Sequence, residues 1–285
     1  MPINESKTKA EIYIKWIMFT AAITGMAVLS AFYPIQGNIP LIVVPSILVL
    51  ILAKPVFFER MKLTTLLVMR IIVVFAAMRF FNPQVYVDLI MLALIVNILE
   101  ATFTDLFRYK KYFNAVSGFA VAIGVITLRG LWQFDLPIGD YYLARGAIPL
   151  ITIMYAVAYT IWNWIFVTNE FSSSVALMHV GFLLSPLIGC LCTLGLGPYG
   201  GIGMWLLLRA NSLSIGGWMQ IGIKDWFEKE FYNPKFENFV KWTKKTSVQV
   251  ICMLINLTLI AFCIILMLKN GGLHYEFPSL KAPIL

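Results

Sequence analysis

The sequence predicts an all-α fold, a polytopic bundle of about nine transmembrane helices (eight to ten fit the length) with a cytoplasmic N-terminus. Three observations predict it. The first is composition: of 285 residues, 60% are hydrophobic and 13% charged, and the mean hydropathy is +0.83. A soluble domain carries roughly 25% charged and 45–50% apolar residues, so lipid is the solvent of most of this chain. The second is run length, since a span needs about 20 mostly apolar residues and such runs recur along the whole sequence. The third is the placement of charge between the runs, taken up below.

The spans are expected near residues 13–33, 39–53, 63–81, 85–106, 113–133, 144–167, 173–192, 200–221 and 247–268. Lys7, Lys9 and Lys15 precede the first run, which is longer than the 7–15-residue apolar core of a signal peptide. It is read as an uncleaved span. The eighth is the weakest. Gly200, Gly201, Gly203, Gly216, Gly217 and Gly222 lower its helix propensity, and Arg209 stands at its centre. A broken or re-entrant helix is the alternative there, allowed where protein or water surrounds it. The organisation expected is a cytoplasmic segment 1–12, a transmembrane domain 13–268 and a non-cytoplasmic tail 269–285.

Charge tests the count. Lys7, Lys9, Lys15, Lys54, Arg60, Lys62, Arg108, Lys110, Lys111, Lys224, Lys229, Lys235, Lys241, Lys244 and Lys245 fall on one side of the alternation, and Arg79, Arg129, Arg145, Lys269 and Lys281 on the other. The excess marks the cytoplasmic side by the positive-inside rule and favours an odd number of spans. A net charge of +8 is thereby explained by orientation and by anionic headgroups rather than by nucleic acid, which is not expected as a partner.

One sizeable loop interrupts the domain. Residues 224–246 interleave Trp226, Phe227, Phe231, Phe236, Phe239 and Trp242 with lysine and glutamate, and Pro234 divides the stretch into two short helices. An amphipathic segment of this kind lies along a membrane surface. A protein partner docking on it is the alternative. Between the fifth and sixth spans, Asp135, Asp140 and Arg145 with Trp132, Tyr141 and Tyr142 read as a polar interfacial loop. The glycine-rich run 194–203 is read as a tight turn broken by Pro198, because a phosphate-cradling loop needs a preceding strand.

Five ionisable or strongly polar residues stand deep inside otherwise apolar stretches: Arg70, Glu100, Asn163, His179 and Arg209. A charge at the centre of a bilayer costs at least ~2.5–3.5 kcal/mol, so such groups face protein or a water-filled cavity. With a rise of ~1.5 Å per residue, Arg70, Glu100, Asn163 and His179 share one depth of about 9–12 Å from the cytoplasmic edge, and Arg209 lies deeper. The expectation is one polar cavity in the cytoplasmic half, lined by all five. Asn97, Glu100 and Thr104 share a helical face, as do Arg209 and Ser212, while Asn211 points elsewhere. The ligand-binding set expected is therefore Arg209, Glu100, Arg70, Asn163, His179, Asn97 and Ser212.

Metal and cofactor chemistry find no footing in the sequence. There are two histidines, His179 and His274, and four cysteines, Cys190, Cys192, Cys252 and Cys263, in apolar segments without C-x-x-C spacing. The aspartate array of CDP-alcohol phosphotransferases, the histidine boxes of desaturases, a retinal-holding lysine in the last span and a rhomboid Gly-x-Ser-Gly nucleophile are all missing. The leading expectation is a small carrier or channel of the cell inner membrane for a polar, anionic or amphiphilic solute. The alternatives are a non-catalytic membrane subunit of a larger complex, and an enzyme acting on a lipid or lipid-linked substrate with Glu100 and His179 as acid and base.

Overall fold

A computed structural model describes residues 9–78, 80, 83–129, 132–138, 141–146 and 148–270. The tail from 271 onward, with His274 and Lys281, and the flanking residues Lys7 and Arg79 lie outside the described residues. What is described is helical apart from one short hairpin.

The first helix, α1 (Lys9–Phe32), leads into a continuous rod made of α2 (Pro34–Asn38), a π-turn (Ile39–Val43) and α3 (Val44–Leu52). Pro40, inside the π-turn, and Pro45, at the start of α3, each remove a backbone donor from this rod near the start of its segment. The rod begins five residues before the expected second span, because Pro34 supplies a ready first helical turn. Lys54 ends it with a left-handed backbone (φ 46°). Helix α4 (Phe57–Ala77) then starts on a Glu59 side chain that accepts the Val56 amide at 3.2 Å. Helix α5 (Pro83–Phe103) runs into a second π-turn, Thr104–Tyr109, closed by Lys110 at φ 54°.

Helices α6 (Tyr112–Gly124) and α7 (Ile126–Arg129) follow. The loop expected after them is instead an antiparallel hairpin of β1 (Trp132–Ile138) and β2 (Tyr141–Gly146), irregular between Gln133 and Leu136. The polar residues there had obscured the aromatic and β-branched positions that favour strand. Helix α8 (Pro149–Glu170) and α9 (Ser173–Cys192) are joined by a tight turn in which the Ser172 hydroxyl caps the Val175 amide. The glycine-rich run forms two 3-10 turns, Leu194–Tyr199 and Gly201–Met204. Gly197 and Gly201 have φ of 58° and 78° there, and a Cβ on Gly200 would come within 1.9 Å of the Thr193 carbonyl oxygen. Helix α10 (Trp205–Gly222) is then a single helix rather than a broken one. The interfacial stretch forms α11 (Lys224–Glu230) and α12 (Pro234–Thr243), and α13 (Thr246–Lys269) closes the fold.

A helix thus occupies each of the nine apolar stretches. Six are long and apolar enough to cross a membrane: those at Ala10–Phe32, Pro34–Leu52, Asp88–Tyr109, Pro149–Glu170, Ser173–Cys192 and Thr246–Lys269. Tyr112–Leu128 is a shorter apolar helix. Helices α4 and α10 are outside this set because of the residues that make them interesting, namely Arg60, Lys62 and Arg70 in one and Arg209, Asn211 and several glycines in the other.

Two packed groups make up the bundle. In one, α9 and α10 pack on each other and on α1, with α4 against the outer side of α10. In the other, α13 packs on α8 and α6, and α6 on α5. The α8–α9 contact joins them. Lipid tails are as apolar as leucine, so association rests on close packing and small residues. Gly118 shows this: a Cβ there would lie 2.1 Å from Thr102 Oγ1 and 2.7 Å from Trp162 Nε1. Interior threonines such as Thr20, Thr102 and Thr160 satisfy their hydroxyls on the carbonyl four residues back. All four cysteines are free.

The interfacial helices are fastened by aromatic rings. Phe227 and Phe231 are buried against Phe19 at 5.2 and 5.6 Å, and Trp164 meets Phe236 and Phe239 at 5.8 and 5.6 Å. Lys15 bridges to Glu230 at 2.8 Å. Trp226, Phe239 and Trp242 keep an exposed edge. Beside them, burial and the neighbouring Lys111 charge hold the Lys244 ammonium below its usual range.

Candidate functional site

Helix α4 packs on both α5 and α10, and a cavity of about 240 Å³ remains between the three. Its wall is mostly apolar, with Leu66, Met69, Ile90, Leu94, Leu206 and Leu213 among the lining residues. Into this apolar space project Lys62 and Arg70 of α4, Asn97 and Glu100 of α5, and Arg209 and Ser214 of α10. Among the described lining residues three cations face one carboxylate, with Glu170 of α8 within electrostatic reach of Lys62, and the local field favours an anion.

The two arginines are fixed by different means. Arg70 is buried, and its Nη1 donates to Asn211 Oδ1 on α10. Asn211 in turn donates through Nδ2 to the Ala27 carbonyl of α1 at 2.9 Å. Arg70 is therefore positioned by a relay that spans three helices, a charge-assisted bond on a neutral amide. Arg209, 2% exposed, lies over the Tyr159 ring at 5.2 Å. Its Nη1 donates to Ser212 Oγ at 3.2 Å and to the Phe182 carbonyl at 3.5 Å, while its Nε has no protein partner. A guanidinium held on an aromatic face with donors left over is suited to bidentate recognition of a carboxylate or phosphate.

The residues expected to converge divide into two sets. Arg70, Asn97, Glu100 and Arg209 line the cavity. Ser212 does not line it; it supports Arg209 from one turn away, accepting from the guanidinium and donating to the Arg209 carbonyl at 3.1 Å. Asn163 and His179 stand elsewhere. Helix α8, which carries Asn163, packs chiefly against α13, α6 and α9, none of which lines the cavity. His179 on α9 stacks on Phe171 at 5.0 Å and pairs through Nε2 with Gln220 Oε1 at 3.1 Å. Equal depth in the membrane did not mean a shared direction. His179 is not among the described residues that line the cavity with Glu100.

Sequence reasoning missed three participants. Lys62 was counted only as a boundary charge, although it lies two turns before Arg70 on the same helix. Asn211 was read as pointing away, which is true of the cavity but overlooks Arg70. Tyr159 carried no signal in the sequence that it would seat Arg209. Polar residues spaced along neighbouring spans were the available signal for the first two.

Among the described residues no group of three or more histidine, cysteine or acidic side chains is arranged to hold a metal ion. No family model, curated protein or solved structure matches the chain.

Proposed function

We propose that the protein binds an anionic group in the α4–α5–α10 cavity and acts as a small carrier or channel for a polar, anionic or amphiphilic solute. The observation behind this reading is the cluster of Lys62, Arg70 and Arg209 against the single carboxylate of Glu100 in an otherwise apolar wall. Buried ionisable residues at membrane depth mark solute pathways by default. Arg209 is the primary anion contact, Arg70 and Lys62 add field, and Asn97 and Ser214 supply neutral hydrogen-bonding groups.

In this reading all nine helices cross the membrane, which is the cell inner membrane, with the N-terminus and the α11–α12 stretch on the cytoplasmic side. The lysine and arginine asymmetry of the loops supports that orientation. Single cysteines placed in α12 and in the 269–285 tail, probed with an impermeant maleimide on right-side-out vesicles, test it. Labelling of the tail alone is expected, and labelling of both or of α12 alone refutes it.

The function itself is tested by reconstituting the purified chain in vesicles and following efflux of small carboxylate and phosphate anions. Saturable efflux that Arg209→Gln abolishes is expected. Efflux no faster than from empty vesicles, for every anion tried, overturns the carrier reading. A second reading, a membrane subunit docking through α12, is favoured by the exposed edges of Phe239 and Trp242. It predicts co-purification of one defined partner, lost in a Phe239→Ala/Trp242→Ala double variant.

A further inference from the structure

Exposure is unevenly distributed around the cavity. Its inner residues Arg70, Ile90, Leu94, Leu206, Arg209 and Ser214 are buried. Its exposed residues are Met61 and Thr65 on α4 and Val96 on α5. Val96 is 50% exposed and Met61 43%. The cavity therefore opens at the α4–α5 seam, from Met61 beside the boundary charges Arg60 and Lys62 to Val96 one turn before Glu100. The surface beside that opening is apolar on both helices: Val68, Ile71 and Phe75 are exposed on α4, and Leu92 and Phe103 on α5. In a helix that carries charge only at Arg60, Lys62, Glu59 and Arg70, such a face meets acyl chains rather than water.

Size adds a second constraint. Pockets that enclose an entire drug-sized ligand have volumes of roughly 300–1,000 Å³, and this one has about 240 Å³. There is room for a compact head and a few carbons, but not for a long chain. A cavity with cations inside, an apolar rim and a lateral mouth is shaped for a ligand that is anionic at one end and apolar at the other.

Resting on the reading of the cavity as an anion site, we propose that its ligand is a membrane-resident anionic amphiphile, a phosphate or carboxylate head on an acyl chain. The head enters sideways between α4 and α5 and meets Arg209 and Arg70. The chain stays in the bilayer along Val96 and Met61. No bond is made or broken. A free anion with the same head chemistry reaches the cavity less readily, because the mouth faces lipid.

The test uses the full chain in nanodiscs of uncharged phosphatidylcholine, with radiolabelled monoacylglycerol phosphate as one probe and glycerol phosphate as the other. Saturable binding of the monoacyl probe is expected, at least about tenfold tighter than that of glycerol phosphate. Arg209→Gln should weaken binding of both by roughly tenfold to a hundredfold. Val96→Trp, which fills the mouth from a half-exposed position, should weaken the monoacyl probe about tenfold or more. Leu92→Trp, one turn away on the same face and outside the cavity lining, should not. Met61→Trp repeats the test from the opposite rim if Val96→Trp fails to fold, as judged by its melting temperature. Equal binding of the two probes, or a Val96→Trp variant in which the monoacyl probe binds as in the parent, overturns lateral entry while leaving the anion site standing. Failure of both probes to bind the parent overturns the anion site as well.

Discussion

The two faces of α10 meet opposite surroundings. Toward α8 and α9 the interior is filled with rings: Tyr155, Tyr159, Trp162 and Trp205 are fully buried, and Trp205 sits edge-on to Tyr155 at 5.7 Å and to Tyr159 at 5.5 Å. Toward α4 and α5 the same helix borders an open cavity lined by charge. Arg209 belongs to both sides, with its charge on the Tyr159 ring and its helix face on the cavity. The difference shows how a charge is tolerated at membrane depth. Rings and a carbonyl hold the guanidinium from one side, leaving donors free on the other. The filled half is the support and the hollow half is the site.

Substitutions in the two halves should separate stability from binding. The largest effect is expected from Trp205→Ala, which removes the central ring of the filled half. Loss of a buried tryptophan costs about 3–5 kcal/mol in protein cores, and thermal melting in detergent should drop sharply. An unchanged melting temperature would show that the rings are not the support. Next comes Arg209→Gln, whose loss of charged hydrogen bonds corresponds to about 1.5–3 kcal/mol in anion binding, or roughly tenfold to a hundredfold in affinity. Titration of the purified variant with a labelled anion reads it, and unaltered affinity would move the site away from the hollow half.

Gly118→Ala tests close approach away from both. The new methyl would strike Thr102 and Trp162, and overpacking of this kind costs about 1–3 kcal/mol. Gly25→Ala is its counterpart, since nothing lies within 4 Å of a Cβ there. It should leave melting unchanged or raise it, by up to ~1 kcal/mol of helix propensity. Similar melting for the two would mean that the α5–α6–α8 contact is looser than the structure shows. The smallest effect is expected from Glu100→Gln. Removing the one carboxylate among three cations should tighten static anion binding a few-fold, about 1 kcal/mol, while slowing efflux. Weaker binding would instead assign Glu100 to ligand contact.

Much of the helical architecture was legible because hydropathy and turn residues act locally. Glycine-rich breaks, prolines and the interfacial aromatic stretch fell where helices begin and end. The hairpin at Trp132–Gly146 was missed because its strand pattern is short and crowded with polar residues. Within the candidate site, Arg70, Glu100 and Arg209 could be read from isolated polarity in apolar runs and Asn97 from the face it shares with Glu100, and all four line the cavity. Asn163 and His179 carry the same signal and face other helices. Lys62 was discounted because it had an ordinary explanation as a boundary charge.

The sequence by itself determined which stretches are apolar, where they break and how far along its helix each polar residue sits, since a helix advances by a fixed rise along its axis. It did not determine direction around that axis. That a relay joins Arg70 to Asn211 and Ala27, that Tyr159 carries Arg209, and that α4, α5 and α10 leave a space open to the side were decided by tertiary packing. Each depends on which helices are neighbours, and no local pattern in a single span contains that information.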